Sequence, residues 1–278
     1  EADDVLKFKL SSIVFDGPEA LLTETKNSQL GIFVTSIAIL RVINQEFPHL
    51  MPSMTAGLSL GEYSALVASK LLSFVECLPL VSHRGQYMND ACESKEGTMA
   101  VVLGLEAKAV EDFVKELNMP DDLFVANLNC PGQVVVSGTK KGIEEATLFL
   151  KAKGAKRVLP LAVHGAFHSG LMKEAKERLK PYIEAVVLKD SSVQLAMNVP
   201  GGFVKDPMQI KNYLIDQVTS PVRWEASVLE MKKTGTDFFI EMGPGKTLAA
   251  MIKRIDPALS VVSIEKVEDL ELLMLKGV

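Results

Sequence analysis

The sequence predicts an α/β protein: a helix-flanked, mainly parallel sheet interrupted by a smaller inserted unit. Three observations carry this expectation. Strand-like apolar runs alternate with stretches of helical period along the chain. Two of those runs pass through glycine turns directly into helical sequence. Residues 98–163 spell out the order β-α-β-β-α-β.

In chain order, residues 29–47 and 62–74 read as mostly apolar helices packed on both sides, with the short strand SMTA (53–56) between them. TMAVVLGL (98–105) is a buried strand ending in glycine. AKAVEDFVKEL (107–117) sets Val110, Phe113, Val114 and Leu117 at helical spacing. LFVANLNC (123–130) and QVVVSGT (133–139) are strands parted by the turn Pro131-Gly132. KKGIEEATLFLKAKG (140–154) is a helix and KRVLPLAV (156–163) a further strand. The six together form the ferredoxin-like split unit. They divide the chain into a discontinuous α/β core, 1–97 and 164–278, and an inserted ferredoxin-like subdomain, 98–163. Beyond the insertion, LMKEAKERLKPYIEAVV puts Leu171, Ala175, Leu179, Ile183 and Val186 on one face, with Pro181 expected to kink or restart the helix. VQLAMNV (193–199) and DFFIEM (237–242) are continuous apolar strands, each followed by a Gly/Pro turn, as a parallel sheet buried on both faces requires. No internal repeat, low-complexity tract or flexible linker is present.

Composition narrows the function classes. The chain has 278 residues, 30 basic against 35 acidic, and a net charge of −5. That balance argues against a general nucleic-acid surface. With 47% apolar residues and mean hydropathy +0.19, disorder is excluded. No apolar run approaches the roughly 18 residues of a membrane span, and EADDVLKFKL is neither a signal nor a transit peptide. Cys77, Cys92 and Cys130 are odd in number and widely spaced, against a disulfide framework and against a CxxC metal site. They read as small buried hydrophobes in a reducing, cytoplasmic setting.

The strongest local motif is Gly57-Leu58-Ser59-Leu60-Gly61, lying between the SMTA strand and the helix EYSALVAS. G-x-S-x-G in strand–turn–helix context is the nucleophile elbow, where flanking glycines let a sharp turn expose the serine hydroxyl. The Leu60 N–H, at the helix start, is placed to stabilise an oxyanion. A plain glycine-rich turn is the other reading. A serine nucleophile needs a base. Among His49, His83, His164 and His168, the last is favoured because VHGAFHSGLM returns from the insertion to the core and His168 would cap the helix that follows; a merely structural histidine is the alternative. Arg84, in the largely apolar LVSHRGQYM, either snorkels to solvent or pairs with an anion, and the pattern alone favours snorkelling. GPGKT (243–247) imitates a phosphate loop. The first glycine of G-x-x-x-x-G-K-[ST] is replaced by Ile240, and Pro244 removes a donor, so a structural turn is expected.

Taken together, these residues resemble the malonyl-CoA:acyl carrier protein transacylases, the acyltransferases of type II fatty acid synthesis. The collinear blocks are NSQLGIFVTSIAI (27–39), AGLSLGEYSALVAS (56–69), RGQYM (84–88), NLNCPGQVVVSG (127–138), GAFHSGLM (165–172), QVTSPVRWEASV (217–228) and EMGPGKTLAAMIKRI (241–255), covering nearly the whole chain. The resemblance implies a hydrolase-like core carrying a ferredoxin-like insertion. It implies that Ser59 attacks the thioester of malonyl-CoA, that His168 takes its proton, and that a main-chain carbonyl near Gln217 orients His168. It implies an oxyanion on the Leu60 N–H and a bidentate grip of Arg84 on the malonyl carboxylate, which reverses the snorkelling expectation. Gln29, Met88, Asn127 and Phe167 would line the substrate pocket, Phe167 going with malonyl rather than methylmalonyl. No cofactor and no metal are implied; the partners are malonyl-CoA and an acidic acyl carrier protein, docked on a basic patch such as Lys151, Lys153, Lys156 and Arg157. A serine thioesterase with the same dyad, or a non-catalytic carrier-binding subunit, are the competing expectations. Two departures stand out: Leu58 occupies a position where the family often has His, and the family's N-terminal GQG segment, source of a second oxyanion donor, is not found in a sequence starting at Glu1. A preceding strand, and an organellar transit peptide before it, are compatible with that start.

Overall fold

A computed structural model describes residues 1–163 and 165–275. The N-terminal part is helical because its apolar residues recur at three and four with no glycine turn between strands. Short helices α1 (Ala2–Leu6), α2 (Leu10–Asp16) and α3 (Glu19–Thr23) lead into the long α4 (Thr25–Glu46). Strand β1 (Met54–Ala56) then turns into α5 (Gly61–Ala68), and α6 (Phe74–Ser94) follows. The helix expected over 62–74 stops at Ala68, and the next begins only at Phe74. Lys70 adopts a left-handed φ of 64°, and Ser73 opens α6 with a reciprocal capping box to Glu76, bonds of 2.7 and 3.3 Å.

Strands β2 (Thr98–Leu103), β3 (Leu123–Cys130), β4 (Gln133–Gly138) and β5 (Arg157–Pro160) alternate with α7 (Ala107–Leu117) and α8 (Lys140–Ala152). They form one antiparallel sheet in the order β3-β4-β2-β5. One face packs on α7 and α8 through Val102, Val110, Val136, Ala146 and Leu150, all essentially inaccessible. In β3 the register shifts between Val125 and Asn127, a bulge that bends the strand. There, bonds of 2.8 Å from Leu128 N–H to Val222 O and from Val222 N–H to Ala126 O tie this sheet to the rest of the molecule.

The returning chain makes a 3₁₀ turn at Gly170–Met172, then α9 (Lys173–Ala185), β6 (Gln194–Met197), β7 (Gly202–Val204), α10 (Pro207–Gln217), α11 (Trp224–Lys233), β8 (Phe238–Met242), α12 (Thr247–Ile255), β9 (Ser260–Ile264) and α13 (Glu271–Met274). The helix α9 runs through Pro181 without restarting. The proline frees only the carbonyl of Glu177, which is exposed and open to solvent.

The expectation of one mainly parallel core sheet is corrected in its continuity. The core pairs β1–β6 and β8–β9 are parallel and β6–β7 is antiparallel. The four-stranded sheet within 98–163 is antiparallel, in keeping with its expected β-α-β-β-α-β order. The two parallel pairs sit in separate sheets, with β1 and β8 each an edge strand. Both edges line one cavity, which lies between the two sheets. The largest apolar cluster fills the space among α4, α5, α6, α9, α10 and β6, with Phe33 stacked on Phe74 at 5.7 Å. No helix among the described residues is long and apolar enough to cross a membrane.

Candidate active site

Ser59 stands between β1 and α5 with φ of +53°, the left-handed conformation expected of an elbow. Gly57 makes this turn possible, because a Cβ there would lie 2.0 Å from the carbonyl carbon and oxygen of Gly61. Gly61 is different: a Cβ added to it meets nothing within 4 Å, so only one of the two motif glycines is sterically required. Leu60 lines the cavity at the start of α5. Its N–H takes no partner among the described residues, as suits an oxyanion donor.

His168 also has a positive φ, +56°. Its Nε2 is 2.8 Å from Ser59 Oγ, and its Nδ1 is 2.8 Å from the main-chain oxygen of Gln217. A carbonyl can only accept, so Nδ1 carries the proton and Nε2 is free to accept from the serine hydroxyl. The expectation that His168 caps the next helix is corrected: the neighbouring Ser169 does so, its Oγ accepting from Leu171 N–H at 3.1 Å. Burial, then the nearby Arg84 charge, push the imidazole down to about 4, against the opposing bond to the Gln217 carbonyl. The ring is therefore neutral at pH 7.

Arg84 does not snorkel. It is 1% exposed, on the inner face of α6, with Tyr63 beneath it at 5.6 Å. Its Nη1 donates to Gln29 Oε1, and its Nη2 donates to Ser59 Oγ and Gln217 Oε1, both at 2.9 Å. Its Nε has no partner among the described residues. Every acceptor it has is neutral, and no carboxylate bonds to it directly. A buried guanidinium without an ionic partner is an open site for an anion.

These groups line a cavity of about 760 Å³ together with Gln29, Met88, Asn127 and Phe167. The volume suits a small ligand with an extended arm. Two buried residues that the motifs do not name hold the floor. Glu62 accepts from Asn198 N–H at 2.6 Å and from Gln217 Nε2 at 2.5 Å. Asn198 accepts from Ser59 N–H through Oδ1 and donates to Gly57 O through Nδ2, both at 2.7 Å. Glu62 adjoins the elbow motif and is a carboxylate in an apolar helix, which was a usable signal. Asn198 gave none, since it follows a strand far away in sequence.

The remaining predicted residues lie elsewhere. His49 is exposed, His83 stacks on Tyr182 at 3.8 Å away from the dyad, and His164 lies outside the described residues. Cys77 and Cys130 are buried, Cys92 is half-buried, and all three are unpaired. The GPGKT turn is explained by its own strand. Glu241 of β8 accepts from the N–H groups of Leu248 and Ala249 at 2.8 and 3.1 Å, filling the α12 N-terminus that a phosphate would need. No group of three or more potential metal-ligating side chains gathers among the described residues.

Comparison with known proteins gives one family. Residues 2–270 match the acyl transferase domain. The malonyl CoA-acyl carrier protein transacylase of Bacillus subtilis (strain 168) is 43% identical over 273 residues, 98% of this chain and 86% of the relative. The protein of the same name from Staphylococcus aureus (strain MRSA252) is 40% identical over 271 residues, 97% and 87% of the two chains. Among solved structures, the acyl-carrier-protein S-malonyltransferase of Burkholderia pseudomallei 1710b superposes with a TM-score of 0.92 at 38% identity, covering 98% of this chain and 89% of that one. A type II PKS acyl-carrier protein in complex with its malonyl-transacylase gives 0.93 at 34% identity, covering 99% and 89%.

Proposed function

This chain belongs to the acyl transferase domain family, and we propose that it transfers the malonyl group of malonyl-CoA to the phosphopantetheine thiol of an acyl carrier protein through a malonyl-Ser59 intermediate. The observation that carries the reading is Arg84: a buried guanidinium bonded only to neutral acceptors, one of them the nucleophile itself at 2.9 Å.

His168 Nε2 takes the Ser59 proton as Oγ attacks the thioester carbonyl. The oxyanion that forms is held by Leu60 N–H. Collapse of the tetrahedral adduct breaks the C–S bond, and His168 returns the proton to the CoA sulfur. The carrier thiol then attacks the serine ester, and the steps run in reverse, giving ping-pong kinetics. Arg84 pairs with the free malonyl carboxylate, and the negative charge of that ligand also offsets the Arg84 charge that disfavours a cationic His168, just as the ring must become cationic. Selection for a carboxylate and activation of the base thus come from one contact. Gln29 and Gln217 position Arg84, Gln217 O orients His168, and Met88, Asn127 and Phe167 shape the acyl and pantetheine path. The proposed steps call on side chains and backbone alone; malonyl-CoA is a substrate.

The strand order β3-β4-β2-β5 with α7 and α8 on one face supports reading 98–163 as a ferredoxin-like insertion in a hydrolase-like core formed by 1–97 and 164–278. Exposed Lys151, Lys156 and Arg157 are the proposed contacts for an acidic carrier; Lys153 already pairs with Glu116 at 2.8 Å. The unpaired thiols support a cytoplasmic enzyme.

Intact mass after incubation with malonyl-CoA tests the reading. A single malonyl adduct that discharges on adding carrier protein is expected. Steady CoA release without an acceptor would instead make the chain a thioesterase, and no adduct at all would leave only a carrier-binding role.

A further inference from the structure

Glu62 takes no part in the chemistry just described, yet its carboxylate is fully buried at the centre of the site. Its two oxygens hold two amides, Asn198 through the main-chain N–H and Gln217 through Nε2. Those residues grip the two ends of the nucleophile's own backbone: Asn198 Oδ1 takes Ser59 N–H at 2.7 Å, and Gln217 Nε2 donates to Ser59 O at 2.9 Å. The left-handed conformation of Ser59 is unfavourable for a residue with a side chain and persists only where surrounding contacts over-determine it.

The carboxylate also decides which way the Gln217 amide faces. Arg84 can only donate and an ionised Glu62 can only accept. With one on each side, Oε1 is turned to Arg84 and Nε2 to Glu62. A neutral amide in place of Glu62 would let Gln217 flip and present two N–H donors to the guanidinium. Gln217 also separates Glu62 from Arg84, so the carboxylate balances the buried positive charge without occupying the face of Arg84 left for a ligand.

We propose that Glu62 is the positioning residue of the acyl-transfer site, its carboxylate anchoring the Asn198 and Gln217 amides that hold Ser59 in its attacking conformation and Arg84 in its receptive one. This rests on acyl transfer through Ser59. The titratable and charged groups that interact with Glu62 are Tyr63 on its own helix and Arg84 on α6; α10 and the turn after β6 face it with the neutral Gln217 and Asn198. Burial pushes the Glu62 carboxyl up to about 7, against the Asn198 and Gln217 bonds and the Arg84 charge. Protonation turns one acceptor into a donor and breaks one of the two anchors. Clamping is therefore present above about pH 7 and lost as pH falls through it, well clear of His168, which protonates only near 4.

The test follows formation of the malonyl-Ser59 adduct in a single turnover from pH 8 to pH 4, for the wild-type chain and for Glu62→Gln, with circular dichroism as the check on folding. The wild type is expected to slow as pH falls through 7. Glu62→Gln is expected to lose on the order of 10²-fold in kcat, as a misplaced reacting group does, with KM for malonyl-CoA within about threefold. Its remaining acid limb moves to near 4. A purely structural role would lower the melting temperature and leave the limb near 7 in place. Wild-type acylation that is flat from pH 8 to 5, a limb near 7 that survives in the variant, or a variant rate within threefold of wild type would each overturn the proposal. If the variant does not fold, the wild-type profile decides. A wild type that never takes up malonyl overturns the transfer reading and this one together, whereas an adduct formed without the limb overturns only the role of Glu62.

Discussion

The molecule contains two strand–glycine turn–helix junctions of nearly the same design, and only one is equipped for chemistry. At β1–α5 the turn carries Ser59, and the N–H of Leu60, just before the helix, has no partner among the described residues. At β8–α12 the turn carries Gly243, Pro244 and Gly245, and Glu241 of the preceding strand reaches across to occupy the N–H groups of Leu248 and Ala249. Each junction has one glutamate close by. In the first it points inward, away from the helix end, and holds Asn198 and Gln217; in the second it caps the helix. The orientation of a single carboxylate separates an anion-ready helix end from a closed one. The junctions also touch: Leu58 packs in the cluster of Leu248, Met251 and Trp224.

Substitutions can break this contrast, beginning with the largest effect. Ser59→Ala makes the first junction as inert as the second; loss of the malonyl adduct by at least about 10⁴-fold in intact-mass kinetics is expected, as for other serine nucleophiles. Adduct formation clearly above that level would place the nucleophile elsewhere. Arg84→Ala should lower kcat/KM for malonyl-CoA about 10²–10³-fold, the loss typical of a broken buried charge pair, while acetyl-CoA is used better than by the wild type. Were both acyl groups to fall together, Arg84 would be a structural cation and the first junction would lack its selectivity.

Smaller effects sharpen the second junction. Glu241→Ala reopens the α12 N-terminus and should cost about 1–2 kcal/mol, the worth of a charged helix cap. The readout is a lower melting temperature with kcat within about twofold; a large fall in kcat without destabilisation would erase the distinction between the junctions. Leu58→His places an imidazole in the shared apolar cluster, and about 1 kcal/mol of destabilisation is expected in the same melting assay. The rate should barely move, because Leu58 packs towards α12 and makes no bond to the dyad.

Much of the candidate site was legible because its chemistry is local. Gly57, Ser59 and Leu60 lie within four residues, so a turn type and a helix end can be inferred together. The α7 and α8 boundaries were equally plain, since a half-buried helix shows its period directly; Ala107–Leu117 coincides with the stretch expected. Arg84 was ambiguous without the family resemblance. Its setting is apolar in sequence, and the acceptors Gln29 and Gln217 that satisfy it are 55 and 133 residues away. Asn198 was invisible for the same reason: its bonds to Ser59 and Gly57 span 139 and 141 residues.

The sequence by itself determined the α/β class, the order of elements across residues 98–163, the elbow and the family to which the chain belongs. These depend on periodicity, turn chemistry and short motifs, all of which act over a few neighbouring residues. Only the tertiary structure decided that the core strands fall into two sheets rather than one mainly parallel sheet. It alone decided that Arg84 is buried without an ionic partner, that Glu241 closes one helix end, and that Glu62 anchors the backbone of Ser59. The reason is physical: the charge state, orientation and free valence of a buried polar group are set by partners brought within 3 Å by packing, and separation along the chain places no limit on which partners those are.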